Sequence, residues 1–159
     1  MNGISSLENT TVVVTGATGF IGSHLVDYLV EYGCTVHALV RETSDQKWLN
    51  KSDQVKVHVV DLLQTSPIDC LQEADYLFHC AGLTKAKTRD DYFFGNVNTC
   101  EILYERCVAI GTNLKAIIHL SSLAAAGPSV QDEPAQEKNS CKPVTYYGES
   151  KLAGEKIAL

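Results

Sequence analysis

The sequence predicts an α/β fold: a parallel, doubly wound sheet with helices packed on it. Three features lead there. Short β-branched runs alternate with stretches of helical spacing along the 159 residues. The first run, Thr11–Thr15, is an apolar stretch that ends on a cluster of glycines, as a buried parallel strand does. Those glycines lead straight into a segment with apolar residues at Ile21, Leu25, Leu29 and Val30, the spacing of one helix face. Strand–helix–strand succession makes right-handed βαβ units and a sheet covered on both faces.

Each element follows in order. The helix after the glycines is expected over 20–32, with Gly33 as its stop. Thr35–Val40 is the second strand and 55–60 the third, followed by Asp61. A short helix is expected from Pro67, because proline suits a first helical turn. Residues 76–80 form the fourth strand, ending at Ala81-Gly82, and 91–110 a longer helix stopped by Gly111. Residues 116–120 form the fifth strand, running into Ser121-Ser122. The polar, proline-bearing stretch 127–145 is a long loop, the kind that usually carries function. A last helix is expected from Tyr147, still running at Leu159.

Composition narrows the class. Apolar residues make up 45% and charged residues 20% of the chain, which excludes disorder, coiled coil and collagen-like repeats. No apolar run approaches the roughly 18 residues of a membrane span, and the polar N-terminus reads as no secretory signal. A net charge of −6 with no basic block argues against nucleic acid. Six scattered cysteines without C-x-x-C or Cys/His ligand spacing read as reduced core thiols of a cytoplasmic protein, with no metal. The five histidines are isolated in sequence and receive no role.

Thr15-Gly16-Ala17-Thr18-Gly19-Phe20-Ile21-Gly22 is G-x-x-G-x-x-G placed between strand and helix. Gly16 permits a tight turn, Gly19 lets a pyrophosphate approach the backbone, and Gly22 lets the helix pack closely. The free N–H groups of the helix start then face the phosphates. This motif resembles that of the extended short-chain dehydrogenase/reductases, the NAD(P)-dependent epimerase/dehydratase superfamily. The likeness takes in dihydroflavonol-reductase-like and nucleotide-sugar-epimerase-like members. Asp61-Leu62 resembles the pair whose Asp holds the adenine, and Ala81-Gly82 the turn beside the cofactor. Asn96-Val97 resembles the opening of a further motif, although Thr99-Cys100 stands where Gly-Thr is usual. The resemblance covers nearly the whole chain. It implies a Rossmann fold with cofactor contacts from Gly16, Thr18, Gly19, Phe20, Ile21, Gly22, Arg41, Asp61, Leu62, Ala81, Gly82, Tyr147 and Lys151.

An acidic residue at the end of the second strand selects NAD, and a nearby Arg accommodates the 2′-phosphate of NADP. Here Val40 holds the acidic place and Arg41 follows, with Thr43 and Ser44 as further donors and Glu42 as a counterweight. The expectation is NADP ahead of NAD. Tyr147-Gly148-Glu149-Ser150-Lys151 is Tyr-x-x-x-Lys, which puts both side chains on one helix face. A free Tyr titrates near ~10, and a neighbouring ammonium and an oxidised nicotinamide both favour its phenolate. Tyr147 is the candidate acid/base; Tyr146 is out of phase. The resemblance gives Lys151 the nicotinamide ribose as well, and gives Ser122, ahead of Ser121, a hydrogen bond to the reacting oxygen. A Ser–His–Asp hydrolase is disfavoured, since no G-x-S-x-G elbow is present.

Relatives commonly continue well beyond the point where this chain ends, and their later segments supply most of the substrate pocket. Residues 1–159 are therefore read as a dinucleotide-binding domain, the N-terminal part of a longer enzyme. That enzyme moves hydride at a carbinol or carbonyl carbon of a small molecule. The alternative is a regulatory or scaffold module that binds dinucleotide without turnover. The resemblance also implies a homodimer through helices near 98–110 and 147–159, with Ile102, Leu103, Val108 and Ile110 as apolar material.

Overall fold

The computed structural model describes residues 7–64, 67–129 and 133–159. They form two compact units, one within 7–81 with Glu105–His119, the other within Gly82–Tyr104 with Leu120–Leu159.

The first unit holds a five-stranded, all-parallel sheet. Its strands are β1 (Thr11–Thr15), β2 (Thr35–Val40), β3 (Val55–Val59), β4 (Tyr76–His79) and β5 (Ala116–His119). The spatial order β3-β2-β1-β4-β5 reverses direction at β1, which is the doubly wound arrangement. Helix α1 (Phe20–Glu31) joins β1 to β2. Because side chains alternate along a strand, Val12, Val14, Val36, Ala38 and Val40 share one face. They pack in one cluster with Val26 and Leu29 of α1. Val13, Thr15, His37, Leu39, Leu77 and His79 line the other face, and all six are buried. The two edge strands are more open, with Val57 and Val59 exposed on β3 and Ile117 and Ile118 on β5.

The expected short helix at Pro67 reduces to one 3₁₀ turn, Asp69–Leu71. Ile68, Cys70, Leu71 and Ala74 are all buried. The chain makes a single tight turn there before it enters β4 at Tyr76.

In the second unit, α2 (Arg89–Phe93) starts on a capping box formed by Thr88 and Asp91. It runs through a π-helical turn, Phe94–Asn98, into α3 (Thr99–Ala109). The helix expected over 91–110 is therefore continuous but locally widened, and Gly111 ends it with φ +61°. A one-turn helix that the sequence does not announce, α4 (Leu123–Ala126), is capped by Ser122. The last helix, α5 (Tyr146–Ala158), is capped by Thr145, whose Oγ1 accepts the Gly148 N–H at 3.0 Å. Between α4 and α5 the described residues form no regular element; 130–132 lie outside them. No helix among the described residues is long and apolar enough to cross a membrane.

Asp75 ties the entry of β4 to its neighbours. Its carboxylate accepts the Thr11 N–H at 2.9 Å and pairs with Lys115 at 2.8 Å. The Lys115 hydrogen bond, then the Thr11 N–H, hold its pKa below the ordinary carboxylate value. A depressed folded-state pKa adds stability above the unfolded value of ~3.9, and that stability is lost as pH falls further. Asp75→Asn should lower Tm by a few degrees at pH 7, and the gap should close below pH ~4. Thermal melts of both proteins across pH 3–7 check this.

Candidate functional site

Gly16 adopts φ +65° at the end of β1, a left-handed conformation that side-chain-bearing residues rarely take. A Cβ there would sit 2.7 Å from the Ala81 nitrogen. Beside it, Thr15 Oγ1 accepts the Ala81 N–H at 3.1 Å and hydrogen-bonds His79 Nδ1 at 2.8 Å. Thr15 and His79 thus pin the ends of β1 and β4 together next to the turn, a role that no spacing in the sequence signals. A Cβ on Gly22 would collide with the Gly16 carbonyl, so the close helix packing expected of Gly22 is what the fold contains.

Gly19 differs. It is exposed, and a Cβ would meet only the Gly16 oxygen, at 3.2 Å. It is also the N-cap of α1, with no side-chain hydrogen bond to the first turn and no acidic residue in that turn. Thr88, Ser122 and Thr145 cap α2, α4 and α5. The α1 start therefore offers backbone N–H groups that no side chain occupies. Thr18 is half-buried, while Phe20 and Ile21 are exposed beside it.

At the end of β2, Val40 is buried and Arg41 exposed. The Arg41 N–H donates to Ser44 Oγ at 3.1 Å and its carbonyl accepts the Ser44 N–H at 2.9 Å, so this loop presents the guanidinium on a tight turn. Asp61 is exposed after β3. Its carboxylate accepts the Leu63 N–H at 2.9 Å and Gln64 Nε2 at 3.4 Å, with Leu62 half-buried between. Arg106 is a residue that the sequence does not single out. Its guanidinium nitrogens are buried with no hydrogen-bond partner among the described residues. Burial lowers its pKa and nearby Asp61 opposes the shift.

In the second unit, Lys151 is 6% exposed, and its Nζ donates to the Leu120 carbonyl at 2.7 Å. That carbonyl lies two residues before Ser122. Gly82 lies close by, since a Cβ there would stand 3.1 Å from Asn96 Oδ1 and 3.8 Å from Lys151 Nζ. Asn96, 2% exposed, is the hub. Its Oδ1 accepts the Leu83 N–H at 2.6 Å, and its Nδ2 donates to the Leu83 carbonyl at 3.0 Å and to Ser150 Oγ at 2.9 Å. Asn96 sits in the π-helical turn, a feature found frequently at functional sites.

Tyr147 is half-buried on α5, with its ring 5.9 Å from that of Tyr92. It lines an open cavity of about 690 Å³ with Tyr92, Ala124, Val144, Thr145 and Glu149. Glu149 is held by Arg89 at 2.8 Å, whose guanidinium also stacks 4.0 Å over Phe93. Ser122 Oγ accepts the Ala124 N–H at 3.2 Å, which leaves its O–H to donate. Ser121 instead hydrogen-bonds Glu155. The two serines are thereby separated, and Ser122 is the one with a proton to offer. Burial pushes the nearby Cys100 thiol up to about 11, with Lys151 acting against the shift.

Residues 12–159 match the NAD dependent epimerase/dehydratase family. The chain belongs to that family. Among curated proteins, the ceramide reductase of Caulobacter vibrioides is 34% identical over 128 residues, covering 80% of this chain and 39% of that protein. The mouse (Mus musculus) sterol-4-alpha-carboxylate 3-dehydrogenase, decarboxylating, is 25% identical over 161 residues, covering 99% and 42%. Among solved structures, a UDP-galactose 4-epimerase superposes with TM-score 0.80 at 31% identity, covering 92% of this chain and 50% of that one. The UDP-glucuronic acid 4-epimerase of Bacillus cereus, solved with NAD, gives 0.79 at 26%, covering 92% and 50%. This epimerase/dehydratase-family chain thus spans about half the length, or somewhat less, of the relatives it matches. Its Rossmann-like fold and its membership in a family of NAD-dependent enzymes agree with the expectation from the sequence.

The glycines of the turn should respond differently to a methyl group. Gly16→Ala and Gly22→Ala should each destabilise the chain by ~1–3 kcal/mol, the range for overpacking. Gly19→Ala should cost under ~1 kcal/mol, as a change of N-cap residue does. Urea unfolding of the three variants tests the contrast; equal losses would count against it.

Proposed function

We propose that this chain binds a nicotinamide dinucleotide and forms the N-terminal part of an enzyme. That enzyme would oxidise or reduce a carbinol or carbonyl carbon of a small molecule, with Tyr147 as acid/base. The observation that carries the reading is the buried Lys151 ammonium on the helix face it shares with Tyr147. The α1 start suits a pyrophosphate, being uncapped, free of acidic residues and open at Gly19. When bound, the nicotinamide supplies a hydride acceptor or donor.

The rest is the work of the chain's own groups. Tyr147 moves a proton at the substrate oxygen. Lys151 brings its amine to the helix face it shares with Tyr147, and its second task, at the nicotinamide ribose, rests on the family resemblance. Ser122 donates its O–H to the same substrate oxygen. Asn96 is a positioning residue, bracing Leu83 and Ser150 around the Lys151 turn. The cavity beside Tyr147 is where the substrate oxygen would arrive. The exposed Ile117 and Ile118 on β5 suit a later segment of a longer chain that covers this edge.

Pairing of two copies through α3 and α5 belongs to the same reading. Val108 is 82% exposed and available for it, whereas Leu103 is fully buried and is not. A cytoplasmic setting is proposed with it, since the cysteines form no disulfide among the described residues.

Gly19→Val should abolish cofactor binding by calorimetry while leaving the circular dichroism spectrum unchanged. In the full-length enzyme, Tyr147→Phe should keep cofactor affinity and lose ~10²–10⁴-fold in turnover. Near-normal turnover of that variant would refute the role of Tyr147.

Arg41 supports a preference for NADP over NAD. Arg41→Ala should cost ~1.5–3 kcal/mol of NADP affinity, the scale of a charged hydrogen bond, and little for NAD. Fluorescence titration with both cofactors decides it; equal losses would rule the preference out.

A further inference from the structure

Four histidines stand in strands, and alternation with the observed register puts all four on one face of the sheet: His37, His58, His79 and His119. Two of them have a third metal-binding neighbour within the first unit. His37 lies opposite Lys56, and His58 opposite Leu39, so the two rings are diagonal neighbours across β2 and β3. His37 Nδ1 stands 2.9 Å from His58 Nε2, and the rings stack with centroids 4.9 Å apart and 14° between planes. The 3₁₀ turn Asp69–Leu71 then delivers Cys70. One donor atom from each of His37, His58 and Cys70 lies within 4.8 Å of the other two. His37 is 5% and Cys70 7% exposed, and His58 is half-buried.

We propose that His37, His58 and Cys70 form a three-ligand site for one divalent cation of the zinc class, with water in the fourth position. Two imidazoles and a thiolate are the donor set that zinc takes. Two nitrogens bound at ~2.0–2.1 Å to one tetrahedral ion stand roughly 3.3 Å apart. The pair at 2.9 Å needs to open only slightly. Three different elements supply the ligands, so an ion there would tie the edge strand β3 to β2 and to the 3₁₀ turn. His58, half-buried on the edge strand, leaves a way in. Glu73 and Lys56 act on His37 with opposite sign, and Asp69 and Glu73 both act on Cys70. The local charge is therefore net acidic, which favours a cation.

Binding balances simply. Two neutral imidazoles that share one N–H between Nδ1 and Nε2 free both nitrogens by moving that proton to a ring's other nitrogen. The Cys70 thiol gives its proton to solvent as its sulfur bonds the ion. One proton leaves per ion and no electron moves.

Cobalt(II) replaces zinc as the probe. The untagged 159-residue chain, stripped of metal and kept reduced without thiol reagents, is titrated with Co²⁺ and read by absorption. A thiolate-to-cobalt charge-transfer band should saturate at about one ion per chain, with about one proton released in weak buffer. Zn²⁺ should remove the band. Cys70→Ser should abolish it, and His58→Gln should weaken binding at least tenfold, the scale seen when a metal's shell is damaged. Cys34→Ser and Cys141→Ser should leave it intact. Circular dichroism confirms that each variant folds, and the unsubstituted chain alone is already decisive. No charge-transfer band at any excess of cobalt overturns the proposal, as does a band that survives Cys70→Ser.

Discussion

A Cβ on Gly16 would lie 2.7 Å from the Ala81 nitrogen, and one on Gly22 would strike the Gly16 carbonyl. Three backbone segments therefore close on one another at the tip of β1 only while no side chain intervenes. Thr15 reinforces this contact through Ala81 and His79. Everything the turn can do depends on it. The helix start must lie close to the strand end before its N–H groups could serve the pyrophosphate proposed for them. The buried α1 face, with Val26 and Leu29 against Val12, Val14 and Val36, then fixes the helix direction. Packing supplies the rigidity, and the glycines supply the close approach.

The second unit solves a different problem, that of placing charge. Its hub is an amide: Asn96 uses both ends of its side chain to hold Leu83 and Ser150. Such a buried group stabilises only if its donors and acceptors are met. The π-helical turn at Phe94–Asn98 also departs from regular α geometry around it. Cys100, one turn on, donates to the Asn96 carbonyl at 2.9 Å. The thiol thus makes a contact to a main-chain oxygen that a hydroxyl could also make.

Most of the fold could be read from the residues because its signals are local. The bounds of β1 and β2 follow from apolar runs closed by Gly16, Gly33 and Arg41, and the structure keeps both. The last helix begins one residue early, at Tyr146, because Thr145 caps it. Other features depend on partners distant in sequence and leave no periodic trace. The π-helical turn is one, and the four-residue α4 is too short to show a period. Pro67 is a fair helix signal, but the segment makes only one 3₁₀ turn before it enters β4. The thiols divide in the same way: Cys34, Cys70, Cys100 and Cys107 are core, Cys80 is half-buried, and Cys141 is exposed on a loop. The glycine, Tyr147 and Lys151 positions are legible from spacing and order, while Ser122 and Asn96 enter through the family resemblance. The contacts of Thr15 and Arg106 leave no trace in the sequence, because their importance lies in what they touch.

Lys151 is the most expensive placement in the second unit. Burying an ammonium has an effective cost of several kcal/mol. A helix that needed only to pack would use an apolar residue at that position. Here Lys151 is 6% exposed, and its Nζ donates to the Leu120 carbonyl. The field of a buried charge is stronger in a poorly hydrated setting than it would be in water. Such a field lowers the free energy of a nearby anion, and the group on the same helix face one turn away is the phenol of Tyr147.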